Sequence, residues 1–102
     1  MSRPKPPAAE IGSSSRARLD GIVQRVRAIP EGFVRTYGDI DPGAPRLVGY
    51  VLASTTEDLP WHRVVRADVR LPMGEAQKWR LRQEGVPMIG DRVDLGLARM
   101  PV

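Results

Sequence analysis

The chain has no cysteine in its 102 residues. That excludes disulfides, thiolate metal sites and thiol redox chemistry. It also removes the strong sulfur nucleophile of proteins. His62 is the single histidine, and one imidazole without cysteine is too few ligands for a zinc site. No metal and no other cofactor are expected. No apolar run approaches the ~18 residues that span a bilayer, so no membrane partner is expected. The start, Met1 to Pro7, is basic but has no apolar stretch behind it, unlike a secretory signal. A cytoplasmic location is expected by default. Aromatics are scarce, with two Trp, two Tyr and one Phe, so each needs a reason.

What is abundant is arginine. The net charge is +4, from 16 Lys+Arg against 12 Asp+Glu, and only Lys5 and Lys78 are lysine. The planar guanidinium suits phosphates and guanine edges. A GC-rich genome explains the same bias equally well. The length fits one small domain. Residues 1–15, rich in Pro, Ala and Ser, lack apolar periodicity and read as a disordered tail; the domain occupies 16–102. Ser15 is a suitable N-cap for a helix whose stripe is Leu19, Ile22, Val23, Val26 and Ile29, ended by Pro30-Glu31-Gly32. Pro45 suits the first turn of a second helix. Its buried face is Leu47, Val48, Val51 and Leu52, and Arg46, Gly49, Tyr50 and Ala53 lie elsewhere. Ala67 to Arg70 reads as a turn. A last helix is expected from Met73 to Glu84, stopped by Gly85, and a small hairpin or wing from Val86 to Leu95. Trp79 is expected in the core or as a half-exposed cover on the last helix.

Four blocks then stand in one order. They are Val34-Arg35-Thr36-Tyr37-Gly38-Asp39-Ile40, Arg46-Leu47-Val48-Gly49, Pro60-Trp61-His62-Arg63-Val64-Val65, and Glu84-Gly85-Val86 with Arg92-Val93-Asp94-Leu95. Together they resemble the O6-alkylguanine-DNA alkyltransferases over roughly residues 17 to 96, whose acceptor cysteine lies in a Pro-Cys-His-Arg-Val motif. Here Trp61 stands at the cysteine position. That places the chain nearest the alkyltransferase-like proteins, which bind alkylated DNA without repairing it. The resemblance implies a mainly α winged helix-turn-helix with short β-strands.

The resemblance also implies roles. Arg46 matches the finger that fills the gap left by an extruded nucleotide, a task suited to its stacking plane and donors. Tyr37 matches the residue that crowds the target phosphate. Gly49 and Tyr50 complete the expected DNA contacts. Tyr37, Pro60, Trp61 and Val65 are expected to form the lesion pocket. His62 and Glu84 match the pair that activates the cysteine; with nothing to deprotonate they become structural, with Arg63 bracing the loop. No catalytic residue is expected. Blander readings stand beside these: a surface arginine, a half-buried tyrosine, a core tryptophan.

Two departures from the family weigh against some contacts. Asp41-Pro42-Gly43 replaces most of the first helix of the helix-turn-helix, and Thr55 stands near a family Asn that stabilises the turn. The expected function is a non-enzymatic sensor, monomeric, that binds double-stranded DNA carrying O6-alkylguanine. It flips the base and flags it for nucleotide excision repair proteins, in the cytoplasm or, in a bacterium, at the nucleoid. The alternatives are a winged helix-turn-helix transcriptional regulator without lesion specificity, which would be dimeric, and a base-removing enzyme, which needs a poised carboxylate or lysine.

Overall fold

A computed structural model describes residues 7–68, 71 and 74–101. Helix α1 spans Pro7–Arg27 and is followed by strand β1 (Arg35–Thr36), the single turn α2 (Tyr37–Ile40) and helix α3 (Pro45–Ser54). A 3₁₀ turn (Trp61–Arg63) leads into β2 (Val64–Val65), then α4 (Gly74–Gln83), β3 (Met88–Ile89), β4 (Arg92–Val93) and α5 (Leu95–Ala98). This is the mainly helical helix-turn-helix with short strands that the sequence predicts. Helix α1 begins earlier than expected. Pro7 fits a first helical turn, and Ala8 and Ala9 are strong helix formers. The tail expected over 1–15 is therefore helical from Pro7 on, and residues 1–6 lie outside the described residues. So do Val69 and Arg70 of the expected turn, and Met73 at the expected start of the last helix.

The core has two parts, divided by a small parallel ribbon. In that ribbon Arg35 faces Val64 and Thr36 faces Val65. Successive strand residues point to opposite sides. Val64 therefore joins Ile22, Val26, Ile29, Ile40, Val48, Val51 and Leu59, while Val65 joins Val34, Leu81, Val86, Val93 and Ala98. The first cluster packs α1 under the α2–α3 pair. The second packs α4 against the β3–β4 hairpin and α5.

The end of α4 is fixed by backbone chemistry. The Val86 N–H reaches the Leu81 carbonyl at 3.1 Å and the Gly85 N–H reaches Arg82 at 3.0 Å, with Gly85 at φ 75°. That is a Schellman stop, and its usual apolar contact is made by Leu81 and Val86. It leaves Glu84 as the C-cap residue, directed back at the 3₁₀ turn. The hairpin turns at Gly90, φ 60°, with Ile89 facing Arg92. Trp79, expected in the core or half covered, is 63 % exposed. Helix α4 buries only Gln77 and Leu81, a stripe too narrow to include position 79.

Candidate nucleic-acid interface

Helix α2 is one turn long, and one turn does not hold itself together in water. Its ends are tied instead. Thr36 and Asp39 form a capping box, each side chain accepting the other's backbone N–H at 3.0 Å. Arg99, from beyond α5, donates to Asp39 at 2.9 Å. Its guanidinium and the cap hold the Asp39 carboxyl below the usual range. At the other end Arg25 donates to the Ile40 carbonyl at 3.0 Å. Arg18 forks onto Asp41 at 2.8 and 2.7 Å and draws its pKa down to about 2. The shortened first helix is thus replaced by side-chain ties from α1 and the C-terminal segment.

These ties place Tyr37, the first residue of α2, half-buried against α3. Burial raises its hydroxyl pKa, partly offset by the charge of Arg66. Tyr37 and Gly49 border two concavities. One is a groove of about 680 Å³ lined by Tyr37, Gly38, Pro45, Arg46, Gly49, Arg66 and Ala67. The other is a cavity of about 290 Å³ lined by Tyr37, Gly49, Leu52, Ala53, Trp61, Val64 and Gln77.

Arg46 opens α3 on the groove side. It is exposed and makes no ion pair with a described residue. The α3 N-cap, Ala44, offers no side-chain bond, and the first turn holds no acid. Pro45 has no N–H and the Leu47 N–H is taken by the Ala44 carbonyl at 3.0 Å, so the helix offers the Arg46 N–H and the positive end of its dipole, which suit an anion. Tyr50 is 51 % exposed and lines neither concavity.

Trp61 forms the far wall of the cavity. Pro60, expected beside it in the pocket, lines instead a second concavity that also includes Trp61, with Arg27, Asp58 and Arg80. Val65, also expected there, is fully buried in the second core cluster. Strand alternation gives its place to Val64, one residue earlier. Leu52, Gln77 and Arg66 are lining residues that the sequence does not single out, whereas Ala53, four residues from Gly49, stands on the helix face that the sequence sets apart from the buried one. Gln77 belongs to a helix whose polar residues conceal its burial.

Gln77 is fully buried, and its amide donates to the carbonyls of His62 and Val64 at 3.1 and 2.8 Å. Below it His62 Nε2 lies 2.7 Å from Glu84 Oε2. Arg63 forks onto the same carboxylate at 2.9 and 2.7 Å and donates to the Ile29 carbonyl at 2.8 Å. Burial alone would raise the Glu84 pKa, but hydrogen bonds from Arg63 and His62 and their charges hold it at about 2. His62, Arg63 and Glu84 therefore meet as one network joining the 3₁₀ turn to the end of α4 and to Ile29, just beyond α1.

Gly49 has a specific consequence. A Cβ there would sit 3.5 Å from the Tyr37 ring, an ordinary contact at the mouth between groove and cavity. Gly49→Ala is expected to stabilise α3 by about 0.5–1 kcal/mol. It is also expected to weaken binding of any group that enters the cavity. Thermal melts and DNA titrations on one preparation check both halves, and unchanged binding would mean that nothing passes Gly49.

Residues 19–86 match the family described as 6-O-methylguanine DNA methyltransferase, DNA binding domain. The chain is 43 % identical over 86 residues to the DNA base-flipping protein of Escherichia coli, spanning 72 % of this chain and 67 % of that protein. It is 38 % identical over 78 residues to a bifunctional methyltransferase/endonuclease of Picrophilus torridus, covering only 26 % of that larger protein. Among solved structures it resembles S. pombe Atl1 in complex with damaged DNA containing O6-carboxymethylguanine, with TM-score 0.72 and 25 % identity over 85 % of this chain and 97 % of that one. Together with the order of the blocks and the fold that they build, these matches show that the chain belongs to the 6-O-methylguanine DNA methyltransferase family, in its DNA-binding domain.

Proposed function

We propose that this protein binds duplex DNA at O6-alkylguanine, extrudes the damaged nucleotide into the Tyr37–Trp61 cavity and performs no alkyl transfer. The observation that carries this reading is Trp61: an indole walls the cavity at the family's acceptor position, and the chain contains no thiol. Arg46, at the open end of α3 in the adjoining groove, would occupy the gap in the stack, and Tyr37 would crowd the rotating phosphate. Phosphate contacts fix position, while the flipped base provides selectivity. The cost of flipping is a few kcal/mol, smaller for a weakly paired base. Without chemistry the lesion outlasts the encounter, so the bound complex serves as a flag, acting as a monomer and read by nucleotide excision repair proteins at the nucleoid or in the cytoplasm.

The test is a single O6-methylguanine duplex against its unmodified twin, followed by product analysis. Tighter binding to the lesion is expected, with protein mass and lesion unchanged afterwards. A methyl adduct on the protein would sink the reading. Equal affinity for both duplexes would favour the transcriptional-regulator alternative.

Trp61 reports on the same event. In a Trp79→Phe background, chosen because Trp79 is exposed, lesion DNA is expected to change Trp61 emission more than undamaged DNA does. Trp61→Ala is expected to reduce the preference for the lesion while leaving much of the salt-sensitive binding. Full discrimination by a folded Trp61→Ala protein would show that the base does not enter this cavity.

A further inference from the structure

Trp61 lines two cavities. The second is polar, about 360 Å³, and is lined by Trp61 with Arg27, Asp58, Pro60, His62, Arg63 and Arg80 among others. Two of its arginines are already matched, Arg27 by Glu57 and Arg63 by Glu84. Arg80 is not. Its guanidinium carbon lies 5.5 Å from the centroid of the Trp61 ring, a cation–π distance, and no carboxylate of a described residue is within ion-pair reach. Gln77 and Arg80 are three apart on α4 and so share a face. Gln77 lines the first cavity and Arg80 the second, so α4 contributes a residue to each.

We propose that this second cavity is a subsite for the outer end of an anionic O6 substituent, a carboxylate, with Arg80 as its cation. This rests on the lesion-binding reading above. A base in the Tyr37–Trp61 cavity brings its O6 group to the Trp61 wall. A substituent that passes the indole edge enters an open recess whose charges unpaired among the described residues are the Arg80 guanidinium and the Asp58 carboxylate, of which only the guanidinium attracts an anion. Arginine receives a carboxylate through two parallel N–H donors. Asp58, the one acidic residue of the lining, opposes this and makes the subsite's charge adjustable.

The experiment compares duplexes carrying O6-carboxymethylguanine and O6-carbamoylmethylguanine, which match in shape and differ in charge, with O6-methylguanine as reference. The native chain is expected to favour the carboxylate by about tenfold, the scale of one charge-assisted contact. Arg80→Gln is expected to level the pair while leaving O6-methylguanine binding within about twofold, and Asp58→Asn to widen the gap. Equal binding of the two by the native chain overturns the subsite. So does an Arg80→Gln loss that is the same for all three lesions, which would mean that Arg80 only props the indole. If the native chain does not distinguish O6-methylguanine from guanine, the lesion-binding reading itself has failed; discrimination there with no charge preference removes the subsite alone.

Discussion

Glu84→Gln is expected to destabilise the folded chain by about 2–3 kcal/mol, at or below the low end of the cost of breaking a fully buried ion pair, because this pair is part-buried. A domain of this size holds only about 5–15 kcal/mol in total, so the loss should appear as a large fall in the urea midpoint with an unchanged slope. The reason is geometric. One carboxylate meets His62 Nε2 and two nitrogens of Arg63, and Arg63 carries the link onward to Ile29, just beyond α1. Glutamine keeps the shape but has one acceptor oxygen and no charge, so the part-buried guanidinium loses its counter-ion and one of its two bonds to position 84. The pH dependence has a definite sign. The Glu84 pKa falls from 4.5 unfolded to about 2 folded, so the unfolded chain binds the proton more readily. Its stabilisation is full above 4.5 and is lost as pH falls from there through about 2. Glu84→Gln should flatten that part of the acid limb. Asp41, also held at about 2 by Arg18, should preserve the rest. An acid limb identical to the native one would mean that the Glu84 carboxylate is not paired in solution.

Parts of this arrangement are legible in the sequence for identifiable reasons. The α1 stripe from Leu19 to Ile29 is long enough to define a helix face, and Ile22, Val26 and Ile29 are buried as that spacing requires. The His62–Glu84 pairing is legible only through the family motif, since 22 residues separate the two and no periodicity connects them. The expected pocket wall is off by one residue. Two valines in succession carry no mark of which faces inward, and only the pairing of Thr36 with Val65 decides it. The ties on α2 are illegible, because Arg18, Arg25 and Arg99 look like any other surface arginine until the chain folds. Arg99, outside every motif, caps Asp39. Trp79 misleads because an aromatic suggests burial, whereas the face of α4 that packs inward is filled by Gln77 and Leu81.

Arg46→Ala is expected to weaken lesion binding by about 1–3 kcal/mol, roughly fivefold to more than a hundredfold, the scale of a stacking or bidentate contact. Arg46 supports no part of the fold, being exposed and free of ion pairs with described residues, so the melting temperature should hardly move. The control must be another arginine of the same kind. Arg99 is unsuitable, because its loss would uncap α2. Arg16 is exposed on α1 and forms no ion pair with a described residue, so Arg16→Ala removes the same charge from outside the groove. The two roles also differ in salt dependence. Removing a phosphate-binding charge at either position lowers the salt slope by about one and weakens damaged and undamaged duplexes alike. An arginine filling the space of a flipped nucleotide is felt mainly where flipping occurs, so Arg46→Ala should narrow the gap between lesion and undamaged DNA. Equal losses in both variants on both duplexes would reduce Arg46 to one charge among many and leave the extruded base without its replacement in the stack.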